Sequence, residues 1–194
     1  MIKKRDVLNI IKTAVILFLI TGISAFLLGV VNDVTAPIIA KNQEEKQQAA
    51  MRTVQPEADN ENGFSEMEEL PELPDIIEKV FVAKKSGEDF GYVVMAAPNG
   101  YNGKISMVIG VDKEGKVCGV DITNQSETPG LGANCTKDEF KAQFIGKVKG
   151  IGVVKNNKKD NEIDAITSAT ITSKAVTEGV NAAIEAVEAI EGGF

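Results

Sequence analysis

Ten residues near the C-terminal end crowd five hydroxyl side chains together. Asp164-Ala-Ile-Thr-Ser-Ala-Thr-Ile-Thr-Ser173 sets Thr167, Ser168, Thr170 and Thr172 ahead of Ser173 and an amphipathic segment. The first turn of a helix has unpaired N–H groups and a partial positive charge, so a phosphate at Thr170 would meet ready donors. Plain N-capping by one Thr or Ser accounts for the same position with a single hydroxyl. A second string, Ser126-Glu-Thr-Pro-Gly-Leu-Gly-Ala133, follows a strand-forming run. Pro129 and Gly130 suit the central positions of a type II turn, and Gly132 leaves more backbone bare. A loop built from Glu127, Thr128, Pro129, Gly130, Leu131 and Gly132 would let a flat ring lie against the chain with amides in reach. A simple connection between two elements would look the same.

The composition closes off other chemistry. There is no histidine, so a Ser-His-Asp triad, His-ligated zinc and His-held haem are excluded. Cys118 and Cys135 are too few for an iron–sulfur cluster within this chain and form no CxxC. They could pair as a disulfide on the oxidising side of a membrane or remain two buried thiols. No catalytic side chain and no metal site emerges, so any redox chemistry needs a borrowed electron carrier. The net charge of −7 is uneven: residues 1–12 carry +3 and the remainder −10. An acidic body of this kind argues against nucleic acid as a partner.

Residues 13–31, TAVILFLITGISAFLLGVV, form a run of 19 without a charge. As a helix rising about 1.5 Å per residue, such a run matches the ~30 Å hydrocarbon core of a bilayer. A cleaved signal peptide would have a shorter apolar core followed by a small-residue cleavage site, whereas this run continues into Asn32, Asp33 and polar residues. The segment therefore reads as a retained transmembrane helix. The basic flank precedes it, which places residues 1–12 in the cytoplasm and the body on the extracytoplasmic side of the cell membrane. Residues 32–78 read as a polar helical stalk, with Pro37 as a kink or restart, and then an acidic linker containing Pro56, Pro71 and Pro74.

From residue 79 the pattern turns to strands. Residues 79–83, 92–97, 104–111 and 117–123 are rich in Val and Ile, with turns at Asn99-Gly100, Asn102-Gly103 and Glu114-Gly115. Thr136-x-x-Glu139 is a capping box that predicts a short helix over 136–144. Val176, Val180, Ile184, Val187 and Ile190 recur at helical spacing, which predicts a closing helix over 173–190. The expected fold class is α+β: an antiparallel sheet with flanking helices over 79–194, behind one membrane span.

The two chemical strings carry a family resemblance. Asp164-x-x-Thr-Ser-Ala-Thr170 resembles the flavinylation motif of the FMN-binding domain in the G subunit of Rnf complexes and in the C subunit of the sodium-pumping NADH:quinone reductase. The ETPGLG segment at 127–132 is similar to the Rnf G subunit almost letter for letter, as is the preceding Gly100-Tyr-Asn-Gly-Lys-Ile105. The resemblance implies FMN joined by a phosphoester to Thr170, attached by a separate flavin transferase using FAD. Asp164, Thr167, Ser168 and Ala169 would form the recognition frame. It implies partnership with other membrane subunits of a ferredoxin:NAD oxidoreductase, with lipid around the span. Two departures stand out: Ser168 occupies a place often held by Gly, and Gln125 one often held by His. A non-redox anchored module and a flavin domain of an extracellular reductase are the rival expectations.

Overall fold

The computed structural model describes residues 4–59 and 63–193. It divides into two units, Met1–Glu45 and Lys46–Phe194. Helix α1 (Lys4–Val54) runs through Pro37 without interruption, so the helix does not restart there. Proline removes the N–H that would serve the carbonyl of Asp33, but that stretch is exposed, so the loss is tolerable. Within the first unit an 18-residue window reaches a mean hydropathy of 2.7 with none of it buried. Phe18, Phe26 and Leu28 are more than two-thirds exposed. A helix apolar on all sides and unburied suits a membrane solvent rather than water.

The second unit is built on a five-stranded antiparallel sheet in the order β1 (Phe64–Glu66), β2 (Ile77–Lys85), β3 (Glu88–Ala96), β4 (Ser106–Asp112), β5 (Val117–Asn124). Neighbours in sequence are neighbours in space, which short turns allow. Ser86 and Gly87, with φ 54° and 80°, make the β2–β3 hairpin, and Gly115 (φ 76°) closes β4–β5. Both φ values positive is the two-residue hairpin geometry that matches strand twist. The expected run at 104–111 is realised as β4 plus an isolated bridge between Asn99 and Lys104.

Both faces of the sheet are covered. Helix α3 (Thr170–Glu191) packs Val176, Val180, Ile184 and Val187 against Val94, Met107 and Ile109. On the opposite face Ala50, Met51 and Val54, at the end of α1, cover Val93, Met95 and Val108. This explains why β3 is buried without a break from Gly91 to Ala96 instead of alternately. Gly110 and Gly119 are paired across β4 and β5, and a Cβ on either would lie 2.5 Å or 2.9 Å from Val54 backbone atoms. The packed unit thus extends back to Lys46, taking in residues that the sequence assigns to stalk and linker.

Three local expectations are corrected. The capping box at Thr136 does not form: a 3₁₀ turn (Gly132–Thr136) precedes a four-residue α2 (Asp138–Lys141), whose N-cap is Lys137 without a side-chain bond. Thr136 Oγ1 instead donates to the Ala133 carbonyl at 2.9 Å. Helix α3 begins at Thr170, three residues before the expected start. A short parallel pair, β6 (Gly152–Val154) and β7 (Glu162–Asp164), lies where no strand was expected. Three-residue strands are too short to show a period. Cys118 and Cys135 are both free thiols, the first half-buried and the second fully buried.

Candidate functional site

Thr170 is the first residue of α3, and the chain reaches it through a strained turn. Ser168 has φ 61°, in the left-handed region that glycine occupies at no steric cost. Ala169 is the N-cap, and its methyl cannot accept a hydrogen bond. The capping account of this string therefore fails at Thr170, which lies inside the helix. Ser173 does the local bracing: its Oγ accepts from the Ile166 N–H at 2.9 Å and donates to the Ala169 carbonyl at 3.0 Å. The backbone N–H groups of Thr170, Ile171 and Thr172 have no acceptor among the described residues. Three such donors at a helix start are suited to receive an anion.

The Pro129–Gly130 turn forms as expected. Leu131 N–H donates to the Thr128 carbonyl at 3.1 Å, and Gly130 has φ 78° with open space where a Cβ would stand. Gly132 serves a different purpose. A Cβ there would lie 2.5 Å from Glu127 Oε2 and 2.6 Å from Thr172 Oγ1, so glycine is what lets these two side chains meet.

Glu127 joins the site's three segments. It is 5% exposed, and its carboxylate accepts from Thr172 Oγ1 at 2.5 Å and from the Asn102 N–H at 2.8 Å. The Glu127 N–H in turn donates to Gln125 Oε1 at 2.6 Å. One buried carboxylate thus ties the 99–104 turn to the first turn of α3, and Gln125 steadies it. Both carboxylate oxygens of Glu127 thus have partners within the protein.

These segments enclose a cleft of about 590 Å³, inside the ~300–1,000 Å³ span of small-molecule sites. Glu127, Thr128, Leu131 and Gly132 line it from one loop, and Ser168, Ala169, Thr170 and Thr172 from the other. Tyr101 and Ile171 complete the wall and are 71% and 54% exposed. Pro129 and Gly130 shape the turn without lining the cleft. A second cleft of about 470 Å³ opens on the other side of the same threonine, lined by Lys155, Asn156, Thr167, Ser168 and Thr170 among others. Asp164 and Ser173 line neither. Asp164 is held by its backbone, its N–H donating to Gln143 Oε1 at 2.9 Å and its carbonyl accepting from Gln143 Nε2 at 3.3 Å. Its Oδ1 is buried with no hydrogen-bond partner.

Comparison with known proteins decides the family. A family model described as the RnfG N-terminal region matches residues 1–54, and one described as an FMN-binding domain matches residues 100–185. The G subunit of the proton-translocating ferredoxin:NAD(+) oxidoreductase complex of Clostridium ljungdahlii is 37% identical over 172 residues, covering 88% of each chain. The chain belongs to the family of G subunits of ion-translocating oxidoreductase complexes. A second member, the G subunit of the Na(+)-translocating complex of Acetobacterium woodii, is 36% identical over 91% of this chain and 90% of its own. The crystal structure of NqrC from Shewanella oneidensis shares the fold, with a TM-score of 0.53 at 20% identity over 72% of each chain.

The residues present suit the FMN that this family's domain binds. The larger cleft has apolar walls for a ring system, and the unpaired N–H groups beside it suit a phosphate. Sequence reasoning missed Tyr101, Asn102, Ile171 and Lys155 as site residues. The first two stand within the GYNGKI string and could have been found there. Ile171 was hidden because the helix was expected to start after it, and Lys155 because β6 and β7 went unseen.

Proposed function

We propose that this chain is the electron-transfer subunit of a membrane-bound, ion-translocating ferredoxin:NAD oxidoreductase, with FMN joined by a phosphoester to Thr170. The observation that carries this reading is the placement of Thr170. It is the first helical residue, it stands between two clefts, and three unpaired N–H groups surround it. Bound FMN supplies the electron chemistry that the chain's own side chains lack. The chain's part is to hold and shield it. The α3 N–H groups would hold the phosphate, while Leu131, Ala169 and Ile171 would supply apolar surface for the ring.

The ester would form by attack of Thr170 Oγ1 on the FMN phosphorus of FAD. A flavin transferase would catalyse this step, with AMP leaving and taking up the hydroxyl proton. A covalent link keeps the cofactor from being lost outside the cell, in keeping with an extracytoplasmic domain, a cytoplasmic residue 1–12 segment and lipid around residues 13–31. The other membrane subunits of the complex are its electron partners.

Peptide mapping of the full chain from its own host tests the attachment. The peptide containing Thr170 should be heavier by FMN less water. Thr170→Ala should lose all flavin that survives denaturation while its unfolding curve is unchanged. Flavin retained in Thr170→Ala would sink the assignment. Protease added to intact spheroplasts should digest the domain and spare residues 1–12; protection of the whole chain would reverse the topology.

A further inference from the structure

We propose that Lys155 is the charge partner of the phosphate carried at Thr170; this rests on the attachment just proposed. A phosphodiester keeps one negative charge, and the site must hold it in a body whose own balance is strongly negative. The three N–H groups of α3 offer dipoles but no full charge. Glu127, beside them, adds a negative one. A cation would complement that charge directly, and the second cleft contains one, Lys155.

The β6–β7 pair places it. Val154 is in register with Asp164, and the Ala165 N–H donates to the Val154 carbonyl at 2.7 Å. This parallel pairing fixes Lys155 alongside the Ala165–Ile166 stretch that leads into the Ser168 turn. Lys155 is the only charged residue lining that cleft, and no carboxylate competes for it there. Lys158 Nζ donates to Gln143 Oε1 at 2.9 Å and Lys149 pairs with Glu188 at 2.6 Å, while Lys159 and Lys174 do not line this cleft. Lys155 has no hydrogen bond or ion pair among the described residues. An exposed, uncommitted lysine in a cleft that opens on the attachment hydroxyl is the arrangement a phosphate requires. Thr170 then divides the cofactor's two ends, with the apolar cleft for the ring and the Lys155 cleft for the charged linkage.

The test compares full-length wild type, Lys155→Gln, Lys155→Arg and the control Lys159→Gln, which removes an equal charge outside the cleft. Each unloaded chain is incubated with transferase and FAD, and loading at Thr170 is followed by peptide mass. The phosphorus NMR resonance of each loaded, folded chain is then recorded. Lys155→Gln should slow loading by about tenfold, the scale of one charge-assisted hydrogen bond, and shift the phosphorus resonance of the molecules that do load. Lys155→Arg and Lys159→Gln should behave as wild type. Shifts must vanish on denaturation, which removes the contact. Unchanged loading and an unshifted resonance in Lys155→Gln would overturn the proposal, as would an equal effect in Lys159→Gln. If the wild type loads on another residue, the attachment reading has failed instead, and the mass map shows it.

Discussion

The Glu127 carboxylate offers the sharpest test of how the site is held. Thr172→Val keeps side-chain shape and deletes the one hydroxyl that donates to Glu127 Oε2. A hydrogen bond to a charged group is lost and the buried acceptor is left short of a donor, a change of about 1.5–3 kcal/mol. Glu127→Ala removes the acceptor for both Thr172 and Asn102, so its cost should be about 3–6 kcal/mol. The two residues are in contact, so Glu127→Gln and Thr172→Val should not add. A double-mutant cycle should give about 1–2 kcal/mol of coupling. The measurement is urea unfolding of the unloaded chain in detergent. Tyrosine emission is the probe, since the chain has two tyrosines and no tryptophan to mask them. Hydrogen exchange should quicken together in residues 99–104 and 170–176 of each single variant. Coupling of no more than about 0.3 kcal/mol, the scatter expected of independent sites, would show that Glu127 does not join these segments. Faster exchange in only one of them would say the same.

Three further outcomes follow from the same coordinates. Ser168→Gly relieves a left-handed serine and should raise stability by about 0.5–1 kcal/mol after glycine's own entropy cost, with flavin loading intact; a lower unfolding midpoint would contradict the strain. Asp164→Asn replaces an unpartnered buried carboxylate oxygen with an amide and should leave stability equal or higher. Lost loading in that folded variant would identify the carboxylate as a feature the transferase reads, and normal loading would remove Asp164 from that frame. Burial, and then the Glu127 carboxylate, push the Cys135 thiol up to about 11. An unfolded thiol ionises near about 8.5, so the folded state's advantage is intact below that pH and is lost as pH rises towards 11. Cys135→Ala should flatten the alkaline decline in unfolding midpoint over that window; an identical decline in both chains would rule out the thiol.

The parts of this protein that were legible in its sequence are those with a period or a turn chemistry. The four long strands announce themselves by Val and Ile runs between Gly-containing turns. The closing helix shows in Val176, Val180, Ile184 and Val187. The hydroxyls of the Thr170 string and the glycines of the 127–132 loop drew notice, but capping and a simple turn explained them equally well until the family resemblance favoured a flavin site. What stayed hidden depends on distant contacts. Thr136-x-x-Glu139 has the letters of a capping box, yet the preceding 3₁₀ turn takes the Thr136 hydroxyl for Ala133. Gly132 looked like room for a ring, and only the fold shows Glu127 and Thr172 beside it. Residues 46–54 look like stalk because their apolar positions have meaning only against a sheet made from residues 93–108.

The order in which the chain is made gives the Glu127 junction another consequence. Asn102, Glu127 and Thr172 leave the ribosome in that sequence, and the last belongs to the final helix. Until α3 is synthesised and docked, Glu127 has no hydroxyl to receive and the Ser168 turn has nothing to brace it. The threonine can be presented in its final geometry only once α3 is made and docked. A modifying enzyme that requires that geometry would pass over truncated or misfolded copies, so the bound flavin would certify each subunit before assembly.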